Sequence, residues 1–337
     1  MRIFIKEHSS DRALLDNPDS PWHGFFEELR ESGFEIVDDI EDANCLISNN
    51  APSSSFLRKS KHVPNSRRTL ILWESPKIKP SNFSPEVIQE FTLHISPSKE
   101  WLSYITTGNV ELFNWPHTQP DKISNTWETR SNRLQKFIIL SGNNFSNSDQ
   151  ENYTLRRELA FELKGKIDLW GRDWEIGIHK KMIRIVIEML RTRKMPRSNA
   201  VSSFLKGVPW NKGPVTNKFS LMSQYRFGIA IENSSDYVSE KLIDMIISGV
   251  APIYVGPDLK LHGYPENICI RADRNIDDIK VKMSRLMADE NLYEEVLKSG
   301  QDFLRSKEFG EMINSVVLRK LARQSTLNWR RVSGEDK

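Results

Sequence analysis

Residues 225–256, YRFGIAIENSSDYVSEKLIDMIISGVAPIYVG, constrain the fold of this chain more than any other stretch. The stretch opens with an apolar run at 227–231, short enough for a buried strand and ending in polar residues. From Tyr237 the apolar residues recur at helical spacing as far as Gly249, a residue type that commonly ends helices. A second apolar run at 251–255 closes on another glycine. The order strand, loop, helix, strand predicts a parallel β-α-β unit, because parallel neighbours need a long crossover connection.

Polar side chains gather where the first of these strands ends and the helix begins. They are Glu232, Asn233, Tyr237, Glu240 and Lys241. In open α/β sheets this position is the crevice in which nucleotides bind, and the positive end of a helix there attracts phosphate. A plain β-α-β unit with a solvated polar loop would have the same local pattern. The pattern therefore leaves two interpretations open, a nucleotide site and an ordinary crossover.

The ordered segments YRF, IENS, YVSEKL and APIYVG resemble the donor-binding signature of the alpha-1,3-fucosyltransferases, glycosyltransferase family ten. The resemblance covers residues 137–273 well and the earlier part of the chain only at 74–76. It implies an α/β fold of the GT-B type, with two Rossmann-like domains facing a cleft. It also implies an inverting transfer of L-fucose from GDP-fucose to a hydroxyl of a glycan acceptor.

The matching residues are implied to bind the donor. Lys241 would be a cation for the diphosphate, and Glu240 would accept hydrogen bonds from ribose or sugar hydroxyls. Asn233 and Tyr237 would bind hydroxyls and stack on a ring, whereas Glu232 could orient the loop instead. The loop between Asn233 and Tyr237 is shorter than in the family, which favours, as an alternative, a transferase for another GDP-sugar. A non-catalytic nucleotide- or glycan-binding protein on the same fold is a further alternative.

Glu74 is the candidate catalytic base. It follows the apolar run LILW and precedes Ser75 and Pro76, so we expect it at the C-terminal rim of the first sheet. A carboxylate beside Trp73 in a partly dry cleft would have a raised pKa, as a general base requires. From position alone, a rim glutamate that only caps the next turn is the more ordinary interpretation. The match of residues 74–76 to the family's Glu-Ser-Pro segment implies instead that Glu74 deprotonates the acceptor hydroxyl.

Arg156 is the candidate for a first phosphate ligand. The run SGNNFSNSDQENYTLRRELAFEL resembles the family's strand, Ser/Asn-rich loop and helix-opening arginine, and Arg156 matches better than Arg157. A guanidinium in that position is suited to bind two phosphate oxygens at once. The plainer interpretation, expected for one of the two arginines, is a solvated side chain paired with Glu158 or Glu162.

Elsewhere short apolar runs alternate with helix-compatible segments, which predicts doubly wound parallel sheets. Residues 121–133 are polar and lack periodicity, so we place a domain boundary there. We expect an acceptor-binding domain over residues 1–130, carrying Glu74. We expect a donor-binding domain over residues 131–337, which includes the helices predicted within 275–328.

Composition limits the partners and the compartment. The 337 residues suit two domains, and 48 Lys plus Arg against 45 Asp plus Glu leave a net charge of only +3, too little to predict nucleic-acid binding. Cys45 and Cys269 are far apart, and no long apolar segment occurs, so we expect a cytoplasmic protein. No Asp-x-Asp motif lies in the setting of a metal site. We therefore expect no required metal or cofactor beyond the donor substrate, although a divalent ion could stimulate transfer.

Two basic stretches fall outside these assignments: 179–197, HKKMIRIVIEMLRTRKMPR, and VVLRKLARQSTLNWRR near the C-terminus. Each predicts an amphipathic helix. One interpretation is peripheral attachment to the anionic inner face of a membrane, or docking of an acceptor, which could be lipid-linked or a polysaccharide. The other, which we favour from sequence, is helices packed on the domains with solvated basic faces.

Overall fold

The structure is a computed structural model and describes residues 1–120, 132–192 and 194–333. The chain forms two compact units. Unit 1 combines Met1–Thr118 with the segment from Gly310 onward, and unit 2 is Gln119–Phe309. Each unit contains one parallel sheet.

The strands are short and mostly buried, as expected of parallel sheets covered by helices on both faces. In chain order they are β1 (Arg2–Lys6), β2 (Glu35–Val37), β3 (Cys45–Asn49), β4 (Arg68–Ile71), β5 (Leu93–Ser96), β6 (Asn109–Leu112), β7 (Leu134–Leu140), β8 (Ile167–Trp170), β9 (Tyr225–Ile231), β10 (Ala251–Val255) and β11 (Ile270–Arg271).

Helices connect most of these strands. In chain order they are α1 (His23–Glu31), α2 (Ser54–Lys59), α3 (Pro85–Ile88), α4 (Lys99–Leu102), α5 (Tyr153–Glu162), α6 (Ile178–Thr192), α7 (Ser198–Lys206), α8 (Lys218–Met222), α9 (Glu240–Ile247), α10 (Ile276–Ala288), α11 (Glu290–Leu304), α12 (Lys307–Gly310) and α13 (Asn314–Ser333). None of the helices in the described ranges is long and apolar enough to cross a bilayer.

Both sheets reverse their direction of growth once. The order is β2-β1-β3-β4-β5-β6 in unit 1 and β11-β10-β9-β7-β8 in unit 2. The chain therefore places its second strand on one side of the first and its third strand on the other side. This reversal opens a crevice at the carboxyl ends of β1 and β3 in unit 1, and of β7 and β9 in unit 2. Two doubly wound parallel sheets are the predicted α/β architecture, which is confirmed.

The predicted β-α-β unit is present as β9, α9 and β10, with β9 and β10 paired in parallel. β10 has the predicted bounds, and Gly249 ends the helix with a positive φ of 69°. The helix begins at Glu240, later than Tyr237, because Ser239 is its N-cap residue. The strand begins earlier than predicted, at Tyr225.

The last helix belongs to unit 1, which differs from the division expected near residue 130. Leu321 and Trp329 of α13 are fully buried in the core of unit 1. Arg319 and Arg323 form ion pairs with Glu28 on α1. From the sequence, this helix is expected in the donor domain because it follows that domain along the chain. Most of the predicted boundary at 121–133 lies outside the described residues.

Candidate functional site

A cavity of about 380 Å³ lies in unit 2 at the carboxyl ends of β7, β8 and β9. It occupies the crevice created by the reversal between β7 and β9, where doubly wound sheets bind their ligands. The polar residues that line it are Ser141, Asn144, Arg156, Arg172, Lys218, Asn233, Glu240, Lys241 and Asp244. Four of the five donor-binding residues predicted from sequence are in this set.

Arg156 is buried at the edge of the cavity, with its side chain almost wholly removed from solvent. Its Nη1 donates to Ser141 Oγ at 2.9 Å, and its Nη2 donates to Asn233 Oδ1 at 2.9 Å and to the carbonyl oxygen of Ile231. Within the described residues its Nε has no hydrogen-bond partner and the guanidinium forms no ion pair. Burial lowers the pKa of Arg156, and the nearby carboxylate of Glu232 opposes that shift. Arg156 is thus a buried cation with no paired anion in the described ranges of the chain, and an anionic ligand would supply one.

Arg157 is buried as well, but its contacts are those of a structural residue. Its Nε donates to Ser203 Oγ at 3.1 Å, and its Nη1 donates to the carbonyl oxygen of Asn144 at 2.8 Å. The guanidinium also lies over the ring of Phe204. The expectation that one of the two arginines is solvated and paired with Glu158 or Glu162 is therefore wrong, because both arginines are buried. Glu162 pairs with Lys280 instead.

Lys241 is held beside the cavity by a network around Glu232. The Glu232 carboxylate is fully buried and accepts hydrogen bonds from the Ser239 backbone N–H at 2.9 Å and from Ser239 Oγ at 2.6 Å. Lys241 Nζ lies 3.3 Å from Glu232 Oε2 and donates to Ser239 Oγ at 2.8 Å. Glu232 therefore fixes the start of α9 and the position of Lys241, the orienting role that the sequence left open.

Asn233 and Tyr237 are hydrogen-bonded to each other, but only Asn233 lines the cavity. Asn233 lines the cavity, and its Nδ2 donates to Tyr237 Oη at 2.9 Å while its Oδ1 accepts from Arg156. Tyr237 is 2% exposed and does not line the cavity. The expected stacking of its ring on a ligand is not what this structure provides, because the ring is buried and its hydroxyl positions Asn233.

Three charged residues of the cavity were not singled out from sequence: Arg172, Lys218 and Asp244. Asp244 lies one helical turn after Glu240 and Lys241, so helical spacing could have placed it on the same face. Burial raises the pKa of Asp244 to about 7, against the opposing effect of Lys218, whose Nζ donates to Asp244 Oδ2. Arg172 lies two residues after the end of β8 and is exposed, a position that the strand pattern could have indicated.

Gly171 lets two loops of the cavity approach each other closely. Its φ is +144°, and a Cβ at this position would lie 1.9 Å from the carbonyl oxygen of Ser141. No residue with a side chain fits that space without moving the backbone after β7. Ser141 is also the residue that accepts from Arg156, so the glycine supports the geometry around the buried cation.

Glu74 lies in unit 1, half-buried, just beyond the carboxyl end of β4. β4 ends at Ile71 rather than at the predicted Trp73, since the Trp73 backbone N–H donates to Asn50 Oδ1 at 2.8 Å instead of to a neighbouring strand. Trp73 Nε1 also donates to Asn49 Oδ1 at 2.8 Å. The backbone before Glu74 is thus fixed at the rim of the sheet, where the sequence placed it.

A second cavity, of about 550 Å³, lies in unit 1 at the carboxyl ends of β1 and β3. Lys6 is buried on its wall and donates to three carbonyl oxygens, those of Glu7, Ser10 and Asn49. Burial lowers the pKa of Lys6 to about 8. Since all three N–H groups of the ammonium are used, Lys6 shapes the loop at 7–11. The serines that share this wall, Ser9, Ser10, Ser53, Ser54, Ser81 and Ser84, offer hydroxyl groups.

Comparisons with known proteins give structural matches alone, since no family model and no curated protein matches the chain. An alpha-glucosyltransferase solved with UDP and a 13-mer DNA has a TM-score of 0.57 at 12% identity, over 96% of this chain and 99% of that chain. Anabaena HepE with UDP-glucose has a TM-score of 0.58 at 9% identity, over 97% and 99%. A glycosyltransferase from Rickettsia africae has a TM-score of 0.50 at 11% identity, over 94% and 84%.

These structures are GT-B glycosyltransferases, and the chain has their fold. The GT-B class predicted from the sequence is therefore confirmed. At such low identity the similarity shows the fold alone, and a fold does not fix an activity.

Proposed function

We propose that this protein is a glycosyltransferase that takes its sugar from a nucleoside diphosphate sugar bound in unit 2. The observation that carries the proposal is Arg156, a buried guanidinium without an ion pair among the described residues, at a cavity in the crevice of a doubly wound sheet. A diphosphate is an anion of the size and charge that such a position accepts. The positive end of α9 and Lys241 add to the same potential.

In the proposed mechanism the two cations stabilise the nucleoside diphosphate as it leaves. Arg156 and Lys241 would hold the phosphate oxygens, while Asn233 and Glu240 would bind sugar or ribose hydroxyls. Glu74 would take the proton from the acceptor hydroxyl as that oxygen attacks the anomeric carbon from the face opposite the leaving group. One carboxylate is enough for such an inverting displacement, because water or hydroxyl attacks directly.

The donor that we propose first is GDP-fucose. Its support is the signature resemblance to the alpha-1,3-fucosyltransferases of family ten, carried by residues 225–256. UDP-glucose is the second candidate, since Anabaena HepE was solved with UDP-glucose and the alpha-glucosyltransferase with UDP. Another GDP-sugar remains the alternative that the short loop after Asn233 favours.

The acceptor that we propose is a glycan hydroxyl bound by unit 1, where Glu74 and the serine-lined cavity lie. We do not propose DNA as the acceptor, although the alpha-glucosyltransferase was solved with DNA. A net charge of +3 gives no strong attraction to phosphate backbones. The proposal requires no metal, since Arg156 and Lys241 supply the charge that a metal would otherwise provide.

Calorimetric titration with GDP, GDP-fucose, GDP-mannose, UDP and UDP-glucose tests the donor site. We expect either the guanosine compounds or the uridine compounds to bind. Lys241→Ala should weaken the binding of those compounds by at least about tenfold, the effect of one charge-assisted contact. Lys280→Ala is the matched control, because Lys280 is also a lysine of unit 2 paired with a glutamate but lies outside the cavity. Thermal melts of both variants separate lost contacts from lost folding.

Binding of GDP and GDP-fucose that depends on Lys241 would support the fucosyltransferase proposal, and binding of the uridine series would support the second candidate. Absence of any nucleotide binding by a folded protein would overturn both. Equal binding by Lys241→Ala and Lys280→Ala would remove Lys241 from the site.

A further inference from the structure

Helix α6 turns its apolar side chains to solvent. The exposed ones in and just after the helix are Ile178, Met182, Ile183, Val186, Ile187, Leu190 and Met195, with Leu190 at 74% and Met195 at 80% exposure. This set contains seven of the fifteen exposed large hydrophobic residues found in the described parts of the chain. We call it the α6 apolar face. Single exposed hydrophobic residues are normal, but a contiguous set on one helix marks an interaction surface.

The side of α6 that packs on unit 2 is partly polar instead. Lys181, Ile185 and Glu188 are its buried residues. Lys181 Nζ donates to the carbonyl oxygen of Leu205 at 3.2 Å, and Glu188 Oε1 accepts from the Asn147 backbone N–H at 3.3 Å. Specific polar contacts therefore hold the helix in this orientation. The helix is not simply rotated about its axis so that a face meant for the core points to solvent.

Helix α13, the other basic amphipathic helix, behaves in the opposite way. It buries Leu318 and Leu321 in unit 1, and Arg319 pairs with Glu27 and Glu28 on α1. Packing on the domain, favoured from sequence for both stretches, describes α13, whose Arg319 and Arg323 pair with α1 instead of forming a wholly solvated basic face. The same prediction is wrong for α6, because Met182, Val186 and Leu190 are exposed and, among the apolar residues of that helix, only Ile185 is buried.

Positive charge borders the α6 apolar face. Lys180, Arg184 and Arg191 follow one edge of it at helical spacing, and Lys194 lies between the end of the helix and Met195. Glu188 is the single acidic residue of the helix, and it is buried and paired with Arg191. Arg184 pairs with the partly exposed Asp173 of the preceding loop at 3.1 Å. The helix itself thus combines exposed hydrophobic side chains with basic residues and presents no carboxylate of its own to solvent.

We propose that the α6 apolar face binds the surface of an anionic lipid bilayer. The helix has 15 residues, too short to span a bilayer core of about 30 Å but suited to lie in the plane of the interface. In that orientation the apolar side chains enter the acyl boundary while Lys180 and Lys194 contact the headgroups. This proposal goes beyond glycosyl transfer and does not depend on the donor site.

A second copy of the chain is a weaker candidate for the same surface. A symmetric dimer would place two α6 faces against each other, with their basic borders close together. That arrangement brings like charges into one interface, which opposes association. Anionic headgroups instead neutralise the same border.

Flotation of the full chain with vesicles tests the proposal. We expect binding to vesicles of phosphatidylcholine with about a third phosphatidylglycerol, and much weaker binding to pure phosphatidylcholine. The triple variant Ile183→Glu, Val186→Glu, Leu190→Glu should reduce binding by at least about tenfold, because carboxylates are excluded from the acyl boundary. Lys180→Ala should reduce it by up to about fivefold, and added salt should weaken it further.

The matched control is the triple variant Leu261→Glu, Val281→Glu, Met287→Glu. These three hydrophobic residues are exposed elsewhere on unit 2, and the variant changes the net charge by the same amount. Equal loss in both triple variants would overturn the proposal, because net charge would then explain the binding.

Two other results would also overturn it. One is absence of wild-type binding to anionic vesicles. The other is a dimer in light scattering that the α6 triple variant dissociates, since a second copy would then cover the face.

Discussion

Among single residues, Glu74 separates an enzyme from a binding protein on the same fold. Glu74→Gln keeps the size of the side chain but removes its ability to accept a proton at neutral pH. We expect kcat for transfer to a screened acceptor to fall by at least about a hundredfold, the usual contribution of a general base. We expect the dissociation constant of the nucleotide to stay within about twofold, because the cavity of unit 2 is unchanged.

Glu100→Gln is the control for this prediction, since Glu100 is an exposed carboxylate of unit 1 that pairs with Lys77. Turnover that survives in Glu74→Gln at the wild-type rate would exclude Glu74 as the base. Nucleotide binding without turnover in the wild type, across a broad acceptor screen, would favour the non-catalytic alternative.

The raised pKa of Asp244 predicts that the stability of the protein depends on pH. Its ordinary pKa of 3.8 is raised to about 7, chiefly by burial. The folded protein therefore holds a proton that the unfolded chain has lost between these two values, so this residue's contribution to stability falls as the pH rises from 4 to 7. Asp244→Asn stays neutral and escapes that loss. We expect the free energy of unfolding of the variant to gain on that of the wild type, by a few kcal/mol at most, as the pH rises from 5 to 8.

Urea denaturation at several pH values measures this difference. The gain should level off above the raised pKa, where the carboxyl is ionised in both states. A difference that stays constant across the range would mean that Lys218, whose Nζ donates to Asp244, keeps the carboxylate ionised throughout.

Among helices and strands, the sequence predicted best the elements whose burial follows directly from their own hydrophobic pattern. β10 is apolar throughout and is buried throughout, so its bounds were predictable. α6 has an equally clear amphipathic pattern, yet periodicity shows only which residues share a face and not what covers that face. Lys181 and Glu188 decide its orientation through contacts with Leu205 and Asn147, which are distant in sequence.

The candidate site divides in the same way. Arg156, Asn233, Glu240 and Lys241 were predicted from the family resemblance together with their positions after strand ends or in the first turn of a helix. These positions meet at one edge of a parallel sheet. Lys218 was not predictable, because it lies on a five-residue helix and reaches Asp244 only through the tertiary fold.

α13 gives an element-scale prediction about how unit 1 is completed. Leu321→Ala should lower the free energy of unfolding by about 2–5 kcal/mol, because Leu321 is fully buried in the core of unit 1. Val316→Ala on the same helix should cost less than about 1 kcal/mol, since Val316 is 39% exposed. Denaturation followed by tryptophan fluorescence measures both. Equal effects would contradict the assignment of α13 to the core of unit 1.

For the whole molecule, the two units repeat one architectural feature with different chemistry. Each has a cavity at the reversal point of its parallel sheet. The cavity of unit 2 contains a buried cation without an ion pair in the described chain, whereas the buried lysine of unit 1 is saturated by carbonyl oxygens. An anion therefore gains more in unit 2. A ligand recognised through hydroxyl groups suits the serines of unit 1.

This contrast predicts where a nucleotide acts on the full chain. In hydrogen exchange followed by mass spectrometry, the nucleotide should slow exchange at residues 141–147 and 232–241, because these loops form the rim of the cavity around Arg156 and Lys241. Residues 7–11 and 51–54 around the unit 1 cavity should keep their exchange rates until an acceptor is added. Lys241→Ala under the same conditions should lose the slowing in unit 2. Slowing at 7–11 by nucleotide alone, with none at 232–241, would move the donor site to unit 1 and contradict the role proposed for Arg156.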